Sequence, residues 1–488
     1  MGDAISSNTL VMKFGGTSVG SPEAFEQVRE IVSQARKEWP RLVVITSAMA
    51  GVTNLLLEGA NGAIEGNGEL IHQTAARIRS QHLAVVDALL PDLARQSQLR
   101  QEINHLVGEF TNLCQAITVL GEATPRALDA VASLGERLSV RLLAAVLEAG
   151  EIASQWVEAT QLIITDRQFQ AAHPDFSLTE QATRQVLEPI LAQGRIAVVT
   201  GFIAATQDGV TTTLGRGGSD YTAGILGAVL PANDVWIWTD VDGVMTADPR
   251  AVQDARTIPV LSYREIAELA YFGAKVVHPR TIRPVIEANI GLRVCNTFNP
   301  DHPGTRVVSD PNLNNNSSVS DLTEEKHVKA VTAIRGQSLI TVEGRGMLGV
   351  PGVAARTFGA VAATGTSVPL ITQASSEQSI CFAVPIETVE RVIASLESAF
   401  ALELNRGDID RVWATGEVTI ITIVGAGMRS TPGIAGRIFT ALGRREVNVI
   451  AIAQGSSEVS VSLVVDASDA NEGVSAVHEL IVDRMGRP

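Results

Sequence analysis

The sequence predicts an α/β protein with a mainly parallel sheet, followed by two smaller βαββαβ units. Three observations predict it. Strand-like apolar runs alternate with helical patterns over the first ~310 residues, the signature of a parallel sheet covered on both faces. Hydrophobic residues make up 45% of the 488, yet aromatics only 4%, so the core is aliphatic. Near the C-terminus a stretch repeats itself. The length alone implies roughly two to four domains.

The elements follow in chain order. TLVMKF, RLVVITSA, RIAVVTGFIA and DVWIWTD read as buried strands. Between the first two lies SPEAFEQVREIVSQARKEW, a helix that Ser21 caps and Pro22 opens. Residues 1–310 are read as one domain. From Pro311 to Lys326 the periodicity stops and Asn, Ser and charge take over, so 311–327 reads as a linker. The remainder, 328–488, holds the repeat. ITVEGRGMLGVPGVAARTFGAV…LITQASSE begins at Ile340, and ITIVGAGMRSTPGIAGRIFTAL…AIAQGSSE begins at Ile421, an offset of 81 residues. Roughly 18 of about 41 aligned positions are identical, far above chance. Each copy reads strand, Gly-rich turn, helix, strand, turn, strand, helix, giving units at about 337–416 and 417–488. The second copy ends one strand short, and VKAVTAI, within 328–335, is expected to supply it.

Charge and sulfur narrow the function. Acidic residues number 53 and basic ones 38, a net charge of −15, which disfavours nucleic acid as a partner. Three dispersed cysteines and eight scattered histidines show no disulfide framework and no metal-ligand spacing, which points to a reducing compartment, read as cytoplasmic. No apolar run is long enough to span a membrane, and the N-terminus lacks the parts of a signal peptide.

Four segments carry candidate chemistry. KFGGTS, Lys13–Ser18, follows a strand and precedes a helix. A GG turn by itself reads as structural, but Lys13 at the strand's end shifts the balance toward anion binding through the amides of Gly15 and Gly16. TLGRGGSDYTAG, Thr213–Gly224, has the same layout. Arg216 can hold a carboxylate bidentately and Asp220 can orient a lysine or a magnesium-bound water; the bland alternative is a tight turn with a capping Asp. WTDVDGVMTADPR, Trp238–Arg250, ends a buried strand where open α/β sheets place ligands, although its aspartates also suit ordinary turns. In FGAKVVHP, Lys275 either reaches a nucleotide phosphate or is a solvated surface residue. The P-loop and protein-kinase motif sets are absent. Gly344, Gly346 and Gly349 spell GxGxxG, but the acid that dinucleotide binding wants at the next strand is missing, and the second copy has Ser430 at the third glycine.

Taken together, KFGGTSVG, TSAMAGVTNLL, SLGERLS, GRGGSDYTAG, WTDVDGVMTADPR, ELAYFGAKVVHPRT and the final QASSE and QGSSE resemble aspartate kinases of the amino-acid kinase family over nearly the whole chain. The tail resembles paired ACT domains. MRSTPGIAGRIF and AIAQGSSE are most similar to the kinase half of bifunctional aspartate kinase–homoserine dehydrogenases, and the dehydrogenase half is not expected here. The resemblance implies an amino-acid-kinase-type three-layer αβα sandwich. It also implies transfer of a phosphoryl group from ATP, with Mg2+, to the β-carboxylate of L-aspartate.

The same resemblance implies site roles. Lys13 would neutralise the transferring phosphoryl, with Gly15 and Gly16 donating N–H groups to phosphate. Ser47, Thr53, Glu136, Arg216 and Ser219 would hold aspartate, Arg216 on a carboxylate and Glu136 on the ammonium. Read from its residues alone, the Glu136 segment is an ordinary amphipathic helix. Asp220 would position Lys13 and the metal. Thr239, Asp240, Arg250 and Lys275 would contact ATP, as would Met245, which stands where the family commonly has Tyr. Gln373 and Gln454 would face an effector amino acid, threonine before lysine; capping of strand ends is the structural alternative. A homo-oligomer, dimer or tetramer, is expected. Two other readings stay open: another amino-acid kinase, acting on glutamate, N-acetylglutamate or UMP, and a non-catalytic ACT sensor.

Overall fold

The computed structural model describes residues 8–273, 279–309, 328–373, 378–426, 428, 431–454 and 459–482. The chain divides into two compact units. One takes in Met1–Val244, Thr257–Tyr263 and Lys275–Asn315; the other takes in Met245–Arg256, Arg264–Ala274 and Asn316–Pro488.

The first unit is built on an eight-stranded sheet. In sheet order its strands are Ser154–Val157, Ile196–Thr200, Arg41–Thr46, Thr9–Phe14, Asp234–Thr239, Gly291–Asn296, Thr305–Val308 and Val260–Ser262. Every pairing is parallel except that of Gly291–Asn296 with Thr305–Val308. All six residues of Thr9–Phe14 are buried, so both faces of the sheet are covered. Leu10, Met12 and Phe14 pack into a cluster with Phe25, Val28 and Val32 of the helix Pro22–Glu38. Helices Phe176–Ala192 and Gly218–Val229 complete the sandwich. Ser21 caps the Pro22–Glu38 helix by accepting the Ala24 N–H at 3.3 Å.

Between the strands Arg41–Thr46 and Ser154–Val157 come four consecutive helices: Val52–Ile64, Gly68–Leu89, Leu93–Leu120 and Pro125–Ala149. The last is mostly buried, with Leu134, Leu138, Leu142 and Val146 in the core. A three-stranded sheet of Ile164–Thr165, Ile203–Thr206 and Thr211–Thr213 stands apart from the main sheet.

The second unit carries a seven-stranded sheet whose pairings are all antiparallel. Its long strand Ala330–Glu343 serves both repeat copies. Ala330–Ile334 pair with Val424–Ile420 of the second copy, and Gln337–Glu343 pair with Pro385–Ser379 of the first. Each copy adds two helices over its part of the sheet, Val353–Ala363 and Val389–Ala399, then Ile434–Arg444 and Ala470–Val482. Ala247 and Val252 join Val331, Ile423 and Val477 in the core of the second copy. There Thr246 Oγ1 lies 2.9 Å from Nε2 of buried His478, and the Val331 N–H donates to the Thr246 carbonyl at 2.9 Å.

The first two glycines of the GxGxxG run are explained by packing in this unit. A side chain at Gly344 or Gly346 would sit 2.5 to 2.6 Å from the Asp408–Ile409 backbone. Among the described residues no helix is long and apolar enough to cross a membrane.

Candidate active site

Two parallel neighbours in the main sheet, Thr9–Phe14 and Asp234–Thr239, end side by side, with Phe14 opposite Trp238. Such carboxyl-terminal strand ends are where open α/β sheets bind ligands. Lys13 is the second-last residue of its strand. It is only 9% exposed and its Nζ forms an ion pair with Asp220 Oδ1. Asp220 lies in the first turn of the helix Gly218–Val229.

A cleft of about 550 Å³ opens beside this pair. Lys13, Gly16, Ser47, Thr53, Glu136, Arg216, Ser219 and Asp220 all line it. These residues come from segments more than two hundred positions apart, Lys13 to Asp220, and the fold brings them to one hollow. Ser47 is fixed through its N–H, which donates to the Phe14 carbonyl at 3.2 Å. A Cβ at Gly218 would come within 2.6 Å of the Phe202 ring, so only glycine lets the GRGGSD turn close on its neighbour.

Glu136 is the most unusual group in the cleft. It is 3% exposed, and its Oε1 accepts the Ala48 N–H at 3.1 Å. Its Oε2 has no hydrogen-bond partner. Burial pushes this carboxyl up to about 8, against the lowering effect of the Ala48 hydrogen bond. A half-satisfied buried carboxylate is costly unless a cation arrives to complete it.

The remaining expected residues lie elsewhere. Gly15 does not line the cleft, and its N–H is already donated to the Trp238 carbonyl at 3.1 Å. That bond ties the two strand ends together. Thr239 and Asp240 stand at the end of the strand beside that of Lys13, with Thr239 Oγ1 donating to Asp240 Oδ1 at 3.1 Å. Met245 and Arg250 belong to the second unit, where Arg250 pairs with Asp248 at 2.6 Å. Lys275 lies outside the described residues. Gln373 ends the strand Leu370–Gln373, and Gln454 follows the strand Ala451–Ala453; both are exposed. The SSE residues after each glutamine lie outside the described residues.

Two cleft residues escaped sequence reasoning. Phe202 lines the cleft with a left-handed backbone, φ 64°, a conformation uncommon for a bulky side chain and one that clusters at functional sites. Asp129 is 1% exposed and bridges two loops. A phenylalanine after a glycine in GFIAA offered a weak signal; Asp129 in a helical run offered none.

Comparison with known proteins follows the same division. The Amino acid kinase family matches residues 8–296, and the ACT domain matches residues 340–400 and 421–480. The chain is 37% identical over 472 residues to bifunctional aspartokinase/homoserine dehydrogenase 2, chloroplastic, of Arabidopsis thaliana, covering 96% of this chain and 50% of that protein. It thus spans about half the length of the curated relatives it matches first. Among solved structures, E. coli aspartokinase III in complex with aspartate and ADP (R-state) superposes with a TM-score of 0.81 at 30% identity, covering 97% of this chain and 100% of that one. The same enzyme in complex with lysine and aspartate (T-state) gives 0.74 at 31% identity, covering 97% and 99%. With both domain types matched in order and a sandwich shared over nearly its full length, the chain belongs to the amino acid kinase family, in the aspartokinase branch that carries paired ACT domains.

Proposed function

We propose that this protein is an aspartate kinase that transfers the γ-phosphoryl of MgATP to the β-carboxylate of L-aspartate, giving 4-phospho-L-aspartate and ADP. In that role it would open the route to lysine, threonine, methionine and isoleucine. The observation that carries the reading is one cleft holding the Lys13–Asp220 ion pair, Arg216 and the unfilled oxygen of Glu136.

The chemistry asks little of a general base. A carboxylate is already ionised at neutral pH, so its oxygen attacks phosphorus directly while the bridging P–O bond breaks and ADP leaves with the electron pair. The task is to bring two anions together. Lys13 would stand between them, held by Asp220, with the Gly218–Val229 helix start and Gly16 adding dipoles and amides. Arg216 would take the α-carboxylate and Glu136 the α-ammonium, with Ser47, Thr53 and Ser219 closing the pocket. Among the described residues no cluster of three or more His, Cys, Asp or Glu is placed to hold a metal. Magnesium commonly binds through substrate phosphates and one or two carboxylates, so the residues fit an ion that arrives with ATP, with Asp220 at hand. Bound there, it would neutralise phosphate charge. Thr239 and Asp240 are proposed nucleotide contacts from their strand end; Met245, Arg250 and Lys275 are proposed on the resemblance alone.

Glu136 also separates this reading from its rivals. An N-acetylated substrate has no ammonium to complete the buried carboxylate, so N-acetylglutamate is disfavoured. A purely sensory chain would have no use for a buried Lys13–Asp220 pair. The test is an acyl-phosphate hydroxamate trap with ADP release followed in parallel, using aspartate, glutamate and N-acetylglutamate. Aspartate alone should give both signals; ADP release indifferent to aspartate would overturn the assignment.

Regulation by an end-product amino acid is proposed for the ACT pair. Gln373 and Gln454 hold the same place in the two copies, exposed where a strand ends. In E. coli aspartokinase III the amino acid bound with aspartate in the T-state is lysine. Here the resemblance to the bifunctional relatives favours threonine. Millimolar threonine should lower kcat/KM for aspartate by about 5- to 150-fold, the range of ordinary allosteric coupling, with lysine weaker. Gln373→Ala should relieve that inhibition. Kinetics unchanged by either amino acid would remove the regulatory claim. The strands Leu370–Gln373 and Ala451–Ala453 expose Ile371 and Ile452, apolar surface that suits a homo-oligomer. A cytoplasmic setting completes the reading.

A further inference from the structure

Asp129 sits on the helix Pro125–Ala149, seven residues before Glu136. Seven residues are two turns, so both side chains share one face, about 10 Å apart along the axis. Both line the cleft, but they are used differently. Glu136 has a free oxygen, whereas Asp129 has none to spare. Asp129 Oδ1 accepts the Thr213 hydroxyl at 2.8 Å and Oδ2 accepts the Thr213 N–H at 3.0 Å. The Gln170 N–H is shared between the two oxygens at 3.1 and 3.0 Å.

The two loops it holds frame Arg216. Thr213 ends the short strand that leads into Leu214, Gly215 and Arg216. Gln170 has a left-handed backbone, φ 70°, and its carbonyl packs where a Cβ at Gly215 would come within 2.9 Å. The Gln170 loop is thus a wall against which the Arg216 turn is seated, and Asp129 anchors both sides of that contact. Burial raises the pKa of this carboxyl while the three donors lower it.

We propose that Asp129 is a positioning residue that sets the distance between Arg216 and Glu136, and thereby the length of dicarboxylic amino acid the cleft accepts. The proposal rests on the aspartate-kinase reading. One rigid helix carries both the acceptor for the ammonium and the anchor for the guanidinium that takes the α-carboxylate. With that spacing fixed, a substrate one methylene longer presents its distal carboxylate out of line with Lys13. Loosening the anchor costs binding of the right substrate and relaxes discrimination against the longer one.

The test compares Asp129→Asn and Thr213→Val with wild type, measuring kcat and KM for aspartate and for glutamate, and KM for ATP. Asn keeps the size but turns an NH2 group toward backbone donors. Val keeps the Thr213 N–H bond and removes only the hydroxyl, so it guards against a global folding defect in the first variant. Asp129→Asn should raise KM for aspartate about 10- to 100-fold with a smaller change in kcat, leave KM for ATP within about twofold, and narrow the aspartate-to-glutamate ratio of kcat/KM at least tenfold. Thr213→Val should shift the same quantities in the same direction by a smaller factor. Asp129→Glu should not restore the ratio, because the longer side chain displaces both loops. Folded variants with an unchanged aspartate-to-glutamate ratio would overturn the proposal. A wild-type protein inactive on aspartate would instead defeat the underlying assignment, so the two failures are distinct.

Discussion

Replacing Lys13 by alanine is expected to lower turnover by about three orders of magnitude while the kinase unit stays folded. Two unit charges about 4 Å apart repel by roughly 4 kcal/mol at an effective dielectric near 20. Each 1.4 kcal/mol is about a decade in rate, so loss of the Lys13 cation between carboxylate and phosphate is worth about three decades. Folding needs a control, because the partner Asp220 is 14% exposed at its side chain and would be left without its cation. A buried charge without its partner is destabilising. The double variant Lys13→Met with Asp220→Asn removes both charges at similar volume and should melt close to wild type. It should still bind ADP by calorimetry yet show no more than about a thousandth of wild-type turnover. Near-normal turnover in either variant would mean that Lys13 does not lie between the reacting anions.

The parts of this site legible in the sequence were those where one short stretch does the work. KFGGTS and GRGGSD announce themselves because a strand end, a glycine-rich turn and a helix start are all local. Glu136 was legible only through family resemblance: flanked by Leu134 and Leu138, it reads as one polar residue on a helix face, and its burial follows from the strands and helices that close around that helix. Asp129 was not legible at all, since its partners Thr213 and Gln170 lie 84 and 41 positions away. The bond from the Gly15 amide to the neighbouring strand's Trp238 carbonyl was not legible either, since nothing local reveals it.

At the level of the fold, strand–helix alternation implied the parallel sheet, since all-apolar strands need cover on both faces. The run of four helices from Val52 to Ala149 did not register as a break in that alternation. A linear reading also places residues 245–256 with the catalytic domain. The chain instead sends Ala247 and Val252 into the core of the second repeat copy, a choice made by tertiary packing that no composition shift marks.

Glu136→Gln is the change expected to separate binding from chemistry most sharply. With its carboxyl near 8 in the ligand-free protein, most Glu136 is protonated at pH 7. The aspartate ammonium needs the ionised form, so binding must expel that proton. KM for aspartate should therefore rise about tenfold for each pH unit below 8 and level off above it. Gln presents no charge, so its KM should be at least about a hundredfold higher and lack this pH dependence, while KM for ATP holds. Stability should move the opposite way. A carboxyl whose folded value lies above its unfolded value near 4.5 lowers stability as pH rises from about 4.5 toward 8, because the folded state holds the proton more tightly. The ligand-free Gln variant should therefore melt higher than wild type, by a margin that grows across that range and saturates above about pH 8. Saturating aspartate should erase the margin by stabilising only the wild type. A Gln variant with wild-type KM would show that this carboxylate is not the ammonium's seat, and one with no gain in melting temperature at pH 9 would show that burial does not raise its pKa.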